Sequence, residues 1–263
     1  YQLPAYAGAT TLLVLSSYSG NTEETLSLAE EAKVRGCQTY VLTTNGNLQT
    51  IAQQEKWPVF FAEPGFQPRM ALGYSLTYLL LLLGDLFNYP LENTLRTLSN
   101  DFRDTEYFIS KAKEFFTNFE PYLNHKIIVV ADSFTHPVGL RLCQQMQENA
   151  KTEAFLHEIP EANHNVIESY YGNVQSTFLF LDSQSNDRNT LRFQFLKDLL
   201  KEHGNPVAEM PLEGREVSYV LRTIFLLDWV ALLMADAKQV NASEIPNIQT
   251  LKQVLAEAQQ DYQ

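Results

Sequence analysis

Short apolar runs recur along this chain, and each is followed within a few residues by a stretch of helical periodicity. In the first third, runs at 11–15, 39–44 and 57–62 alternate with helical patterns at 23–34, 48–55 and 70–86. The cycle restarts with runs at 126–130, 152–157, 175–182 and 207–210. Helical stretches at 137–150, 190–203, 217–238 and 248–259 accompany them, and a loop entering a further helix is read at 162–168. Runs of this length suit strands buried on both faces, and the helices between them are the crossovers that parallel neighbours require. The expected fold class is therefore α/β, with two doubly wound, flavodoxin-like parallel-sheet subdomains. Their expected bounds are 1–90, lacking its opening strand and helix, and 125–263, which ends in closing helices. The polar, charged segment 91–124 is expected to be a helical linker.

Thirty-one acidic against 19 basic residues leave a net charge of −12, with no local cluster of Lys and Arg. Nucleic acid and anionic membrane are poor partners for such a surface. A small anion can still bind where a few placed cations or backbone N–H groups receive it. Cys37 and Cys143 lie far apart and match no metal spacing, so no disulfide framework is expected and a reducing, cytoplasmic compartment is. The apolar stretch 217–235 contains Arg222 and Asp228, so no transmembrane helix is expected. The chain opens with Tyr1 and has no signal-like segment, so a further N-terminal portion is expected.

The segment SYSGNTEET at 17–25 places the hydroxyls of Ser17, Ser19 and Thr22, with a glycine and an asparagine, between a strand end and a helix start. Ligands of open parallel sheets bind there, outside the carboxyl ends of the strands. Ser17, Ser19 and Thr22 supply O–H groups, while the first-turn N–H groups and helix dipole favour an anion, so phosphate is the expected guest. A plain helix cap by Asn21 or Thr22 would need one hydroxyl. Three exceed that need.

This string resembles the phosphate-binding signature of sugar isomerase (SIS) domains, specifically that of bifunctional phosphoglucose/phosphomannose isomerases. Four further pieces agree in order: PRMAL at 68–72, ENAK at 148–151, PEANHN at 160–165, and the terminal helix with Leu251 and Lys252. The resemblance covers essentially the whole chain. It implies two SIS-type subdomains and interconversion of glucose 6-phosphate, with mannose 6-phosphate as a further candidate, and fructose 6-phosphate through a cis-enediol.

Residue by residue, the resemblance implies catalytic roles for Glu148, His164, Arg69 and Lys252. Glu148, on pattern alone a solvated helix carboxylate, would carry the proton between C1 and C2, a task suited to a glutamate whose pKa is raised by partial burial. Asn149 and Lys151 would orient it. His164, flanked by Asn163 and Asn165 that can fix its tautomer, would help open the sugar ring from a neighbouring subunit of a homodimer. Arg69, otherwise a surface cation set against a helix dipole, would stabilise the enediolate. Lys252 would contact substrate and assist ring opening. His125, His136, His157 and His203 match nothing and are read as structural or surface residues. No cofactor and no metal are implied.

Two departures stand out. The family's Gly-x-Gly-Gly-Ser loop, which brings backbone close to the sugar phosphate, has no counterpart here, and its absence would compromise the site of this chain alone. Ile245-Pro246 stands where the family has Thr-Pro, and that threonine is associated with accepting both C2 epimers. The competing readings are a non-catalytic sugar-phosphate-binding SIS protein and an amidotransferase-type SIS domain. Retention of Arg69, Glu148, His164 and Lys252 together favours the isomerase, because a binder needs no base.

Overall fold

The computed structural model describes residues 1–184, 186–210, 212 and 214–260. The chain divides into two compact units, Tyr1–Arg96 and Thr97–Gln263.

Unit 1 runs β1 (Leu12–Ser16), α1 (Glu23–Arg35), β2 (Gln38–Thr43), α2 (Gly46–Glu55), β3 (Val59–Phe61), a 3-10 turn (Pro68–Ala71) and α3 (Leu72–Leu86). Its three strands are parallel in the order β1-β2-β3, with Val14 opposite Tyr40 and Val41 opposite Val59. The charges of α1 match its dipole, Glu23 and Glu24 in the first turn and Lys33 and Arg35 in the last. Gly36 ends it at φ 66°, and Cys37 N–H returns to the Ala32 carbonyl at 3.0 Å. Ala29, Val41, Leu48 and Ala52 are fully buried, and together with Leu15 they close a small core between this sheet and α1 and α2.

Helix α4 (Glu92–Asp101) crosses the boundary between the units. Unit 2 continues with α5 (Thr105–Phe116), β4 (Lys126–Asp132), α6 (His136–Glu148), β5 (Ala154–Ile159), two 3-10 turns (Glu161–His164 and Val166–Ser169) and β6 (Ser176–Leu181). It closes with α7 (Asp187–Glu202), β7 (Val207–Glu209), α8 (Val217–Ala237) and α9 (Pro246–Gln260). All four strands are parallel, in the order β5-β4-β6-β7. This is the flavodoxin-like winding, in which the chain leaves β4 toward one edge and returns at β6 toward the other.

Alternate residues of β4 serve opposite faces of the sheet. Ile127, Val129 and Ala131 join Phe116, Leu142, Met146, Leu227, Val230 and Met234 under α5, α6 and α8, while Ile128 and Val130 join Phe178, Phe180, Phe193 and Leu196 under α7. Each of the buried Phe and Leu side chains contributes about 1.5–3 kcal/mol.

The structure departs from the sequence reading at two places. From Thr97 onward the 91–124 segment belongs to unit 2, because α5 turns Phe108, Ala112 and Phe116 inward against α8 and sets the Phe108 ring 4.9 Å from that of Phe225. The loop read at 162–168 holds the two 3-10 turns and leads into β6 rather than into a helix; the Asn165 side chain accepts from Val166 N at 2.6 Å, and a side-chain bond of this kind competes with helix continuation. Helix α8 is long and apolar enough to cross a membrane. In unit 2 it packs against α5 and α6, with Arg222 paired to Asp101 and Asp228 to Arg141.

Candidate functional site

The hydroxyl loop begins where β1 ends. Ser17 is buried, and its N–H donates to the Leu42 carbonyl of the neighbouring strand at 3.0 Å. The chain then turns through Gly20 at φ 65°, which returns Thr22 beside Ser17 with their hydroxyl oxygens 2.8 Å apart. Thr22 is the residue that caps α1, yet its side chain makes no bond to the helix. Its hydroxyl faces Ser17 instead, which leaves the first-turn N–H groups without a side-chain cap. Glu24, whose charge would oppose an anion here, is turned toward the Tyr1 hydroxyl, 3.5 Å away. The Ser19 hydroxyl accepts from Asn21 N at 3.3 Å. Structure therefore brings Ser17, Ser19 and Thr22 together within one short loop.

Sequence reasoning missed the parts that hold this loop. The Tyr18 carbonyl accepts from Thr44 N at 3.1 Å and from Thr44 Oγ1 at 2.7 Å. Its phenol donates to the Glu63 carbonyl at 2.7 Å and accepts from Phe66 N at 2.9 Å. Tyr18 thereby ties the loop to the segment that leads into the 3-10 turn carrying Arg69. The available signal was an aromatic hydroxyl inside an otherwise small polar string. Asn21 adds a second tie, its Oδ1 accepting from Asn47 N at 3.0 Å.

Glu148 is the last residue of α6 and is half-buried, with Asn149 buried behind it. Lys151, at φ 51°, turns its ammonium back to donate to the Glu148 backbone carbonyl and, at 2.7 Å, to the Glu244 carbonyl. Lys238 donates to Lys151 O at 3.2 Å and to Thr152 Oγ1 at 2.7 Å, and burial holds its ammonium below the usual lysine range. Two lysines thus fasten the turn after Glu148 to the segment that enters α9, the helix bearing Lys252. Lys238 and Glu244 carried no sequence signal, because a lysine at a helix end and an acidic loop residue are ordinary surface features.

Lys252 is exposed on α9, and Arg69 is part-exposed in unit 1. His164 is exposed at the end of the turn after β5, and makes no hydrogen bond among the described residues. The expectation that both flanking asparagines orient it is not met. Asn165 pairs with Glu161 at 3.1 Å and with Val166 N, and Asn163 Oδ1 is buried without a partner among the described residues. Of the remaining histidines, His157 meets the Tyr170 hydroxyl and is held below the usual imidazole range by burial. His136 Nδ1 lies 2.8 Å from Glu158 Oε2 but lacks the alignment of a hydrogen bond.

Residues 109–255 match the family described as the bacterial phospho-glucose isomerase C-terminal SIS domain. The chain is 32% identical over 270 residues to a bifunctional phosphoglucose/phosphomannose isomerase of Caldicellulosiruptor bescii, covering 98% of this chain and 80% of that protein. An Aquifex aeolicus protein of the same description is 30% identical over 262 residues, covering 97% of this chain and 79% of that one. The glucosamine-6-phosphate deaminase structure from Thermotoga maritima shares the fold, with TM-score 0.64, 16% identity, and 90% of this chain and 73% of that one covered. A polar strand-to-helix loop on one parallel sheet, a second sheet of flavodoxin-like order and a match along nearly the whole length agree: the chain belongs to the bifunctional phosphoglucose/phosphomannose isomerase family of SIS-domain sugar isomerases.

Proposed function

We propose that this chain is an aldose–ketose isomerase that interconverts glucose 6-phosphate and fructose 6-phosphate by ring opening and proton transfer through a cis-enediol. The observation that carries the reading is the Ser17–Thr22 hydroxyl pair at 2.8 Å beside an uncapped helix start, a receptor for a sugar phosphate at the carboxyl end of a parallel strand. Ser17, Ser19 and Thr22 bind the phosphate. Glu148 removes the proton at C2 of the open-chain aldose and returns it at C1, while the hydroxyl proton passes between O2 and O1. Arg69 offsets the charge of the enediolate, and His164 and Lys252 assist ring opening. Ile245, lacking the hydroxyl associated with accepting both C2 epimers, makes glucose 6-phosphate the preferred aldose over mannose 6-phosphate.

Glu148→Gln keeps the volume and removes the base, so kcat for glucose 6-phosphate is expected to fall about 100-fold or more with phosphosugar affinity retained. The assay is run on the chain with any N-terminal extension it carries. Unchanged turnover would move the base elsewhere, with Glu161 the next carboxylate to test. Equal absence of turnover in parent and variant, with binding intact, would instead favour the non-catalytic binder.

The reading extends to a homodimer of a cytoplasmic enzyme of glycolysis and gluconeogenesis. Exposed His164, without a partner among the described residues, is free to serve a second copy, and the two buried free cysteines fit a reducing compartment. Mixed under subunit exchange, inactive Glu148→Gln and His164→Ala proteins are expected to regain activity, because one of the two sites of a heterodimer then carries both native residues. No recovery despite demonstrated exchange would mean that His164 serves its own chain.

A further inference from the structure

A groove of about 370 Å³ runs in unit 2 between α7 and the two 3-10 turns that follow β5. Arg188, Leu191, Arg192 and Phe195 line it from α7, at the i, i+3, i+4 and i+7 spacing that aligns side chains on one helix face, and Asn163 and Ile167 line it from the turns. Its volume is that of a small-molecule pocket.

The charge of the groove runs against that of the chain. The net charge is −12, yet the groove is lined by two cations and, among the described residues, by no carboxylate. Arg35, Arg96, Arg141 and Arg222 are each held by a carboxylate, whereas neither Arg188 nor Arg192 has an ion pair or hydrogen bond among the described residues. Two guanidiniums one helical turn apart exceed what a carboxylate can use, since one fork satisfies both of its oxygens. A phosphate monoester offers three oxygens and close to two charges. Beside the arginines the lining turns apolar: Leu191 and Phe195 are 61% and 60% exposed, and Ile167 lies with them. Asn163 adds a third demand, because its Oδ1 is buried without a hydrogen-bond partner among the described residues. An unpaired carbonyl of this kind costs about 1–3 kcal/mol, and rotation about the soft Asn χ2 turns it toward a donor in the groove.

We propose that this groove binds an aromatic phosphate monoester, with the phosphate between Arg188 and Arg192, the ring against Leu191 and Phe195, and an N–H of the ring system donating to Asn163 Oδ1. A purine nucleoside monophosphate has all three parts. Glucose 6-phosphate has no ring of this kind and would set its hydroxyls against Leu191, Ile167 and Phe195. The groove therefore takes a different ligand from the Ser17–Thr22 loop, and its assignment does not rest on the role proposed for that loop. A second copy of the chain is the poorer occupant, because six lining side chains fall well short of the roughly 20–30 residues a side that a stable interface uses.

The test is titration calorimetry of the full chain with adenosine monophosphate, in saturating glucose 6-phosphate to keep the unit 1 loop occupied. One molecule is expected to bind per chain, with adenosine and inorganic phosphate each weaker by about tenfold or more. Arg188→Gln and Arg192→Gln, which keep most of the stem and remove the charge, should each weaken binding by about tenfold or more, the loss of one charged hydrogen-bonding partner. Should an arginine variant not fold, Phe195→Ala, at an exposed side chain, is expected to show a loss of the same order. Because these substitutions lie in the groove, the result stands whether or not glucose 6-phosphate binds. No binding of adenosine monophosphate at millimolar concentration, or an affinity unchanged by all three substitutions, would overturn the proposal. So would sedimentation in which Arg188→Gln or Phe195→Ala converts a dimer to monomers, since the groove would then be an interface between copies.

Discussion

Gly20→Ala is expected to lose phosphosugar binding altogether and to destabilise unit 1 by about 3 kcal/mol or more, through two effects that add at one position. The backbone at Gly20 sits at φ 65°, where a Cβ costs about 1–2 kcal/mol. That Cβ would also stand 1.8 Å from the Asn45 carbonyl oxygen, a backbone atom that moves only if the start of α2 moves with it. The contact is mutual, since a Cβ at Gly46 would lie 2.5 Å from Ser19 O. Displacing this pair breaks the Leu48 N to Gly20 O bond of 2.9 Å and swings Thr22 away from Ser17. Gly36→Ala separates the two effects. It shares the left-handed backbone at φ 66° but has nothing within 4 Å of a new Cβ, so it should cost about 1 kcal/mol and leave binding intact. Urea unfolding and titration calorimetry with glucose 6-phosphate measure both. An alanine at 20 that binds within twofold of the parent and unfolds like the Gly36 variant would refute the close-packed loop.

These contacts also show where sequence reasoning stops. The repeated cycle of apolar run and helix was legible because each run is continuous and each helix carries its own charges and stop signals, as α1 does with Glu23, Glu24 and Gly36. The hydroxyl loop was legible because its residues are adjacent in the chain. Tyr18 was not, because its phenol is joined to residues 45 and 48 positions away. The Lys151–Glu244 tie spans 93 positions, and no local pattern distinguishes such a lysine from a solvated one. At 162–168 a loop entering a helix was read, and two 3-10 turns form there, since the Asn165 side chain satisfies the Val166 N–H locally. Family resemblance supplied roles for Arg69, Glu148, His164 and Lys252. Physical pattern at those positions is bland, and in the structure it stays so for the exposed pair His164 and Lys252.

The ion pair on α8 is expected to show the opposite sign from a simple stabilising salt bridge. Arg141 holds both oxygens of Asp228, Nε at 3.1 Å and a terminal guanidinium nitrogen at 2.6 Å, and Gln145 adds a bond of 3.1 Å. Even so, burial outweighs these partners and pushes the Asp228 carboxyl above the usual carboxylate range. A carboxyl whose folded pKa is raised favours folding most when protonated, and that contribution is lost as pH rises through the folded-state pKa. At neutral pH the ionised carboxyl therefore carries a net burial cost, and apolar side chains of similar shape are expected to match or improve on the pair, although breaking it is worse.

Asp228→Leu alone leaves the Arg141 guanidinium, with a side chain only 17% exposed, without its carboxylate, and should destabilise unit 2 by about 3 kcal/mol. The paired change Arg141→Met with Asp228→Leu removes both charges and joins α6 to α8 through the core that Leu227, Val230 and Ala231 already form. It should match or exceed the parent in stability at pH 7, with an advantage that shrinks as the pH is lowered through the raised pKa of Asp228. Denaturant unfolding of parent, single and double variants at both ends of that range gives the coupling energy directly. A double variant as unstable as Asp228→Leu would mean that the pair itself, rather than the avoidance of a buried charge stripped of this carboxylate, holds α8 in place.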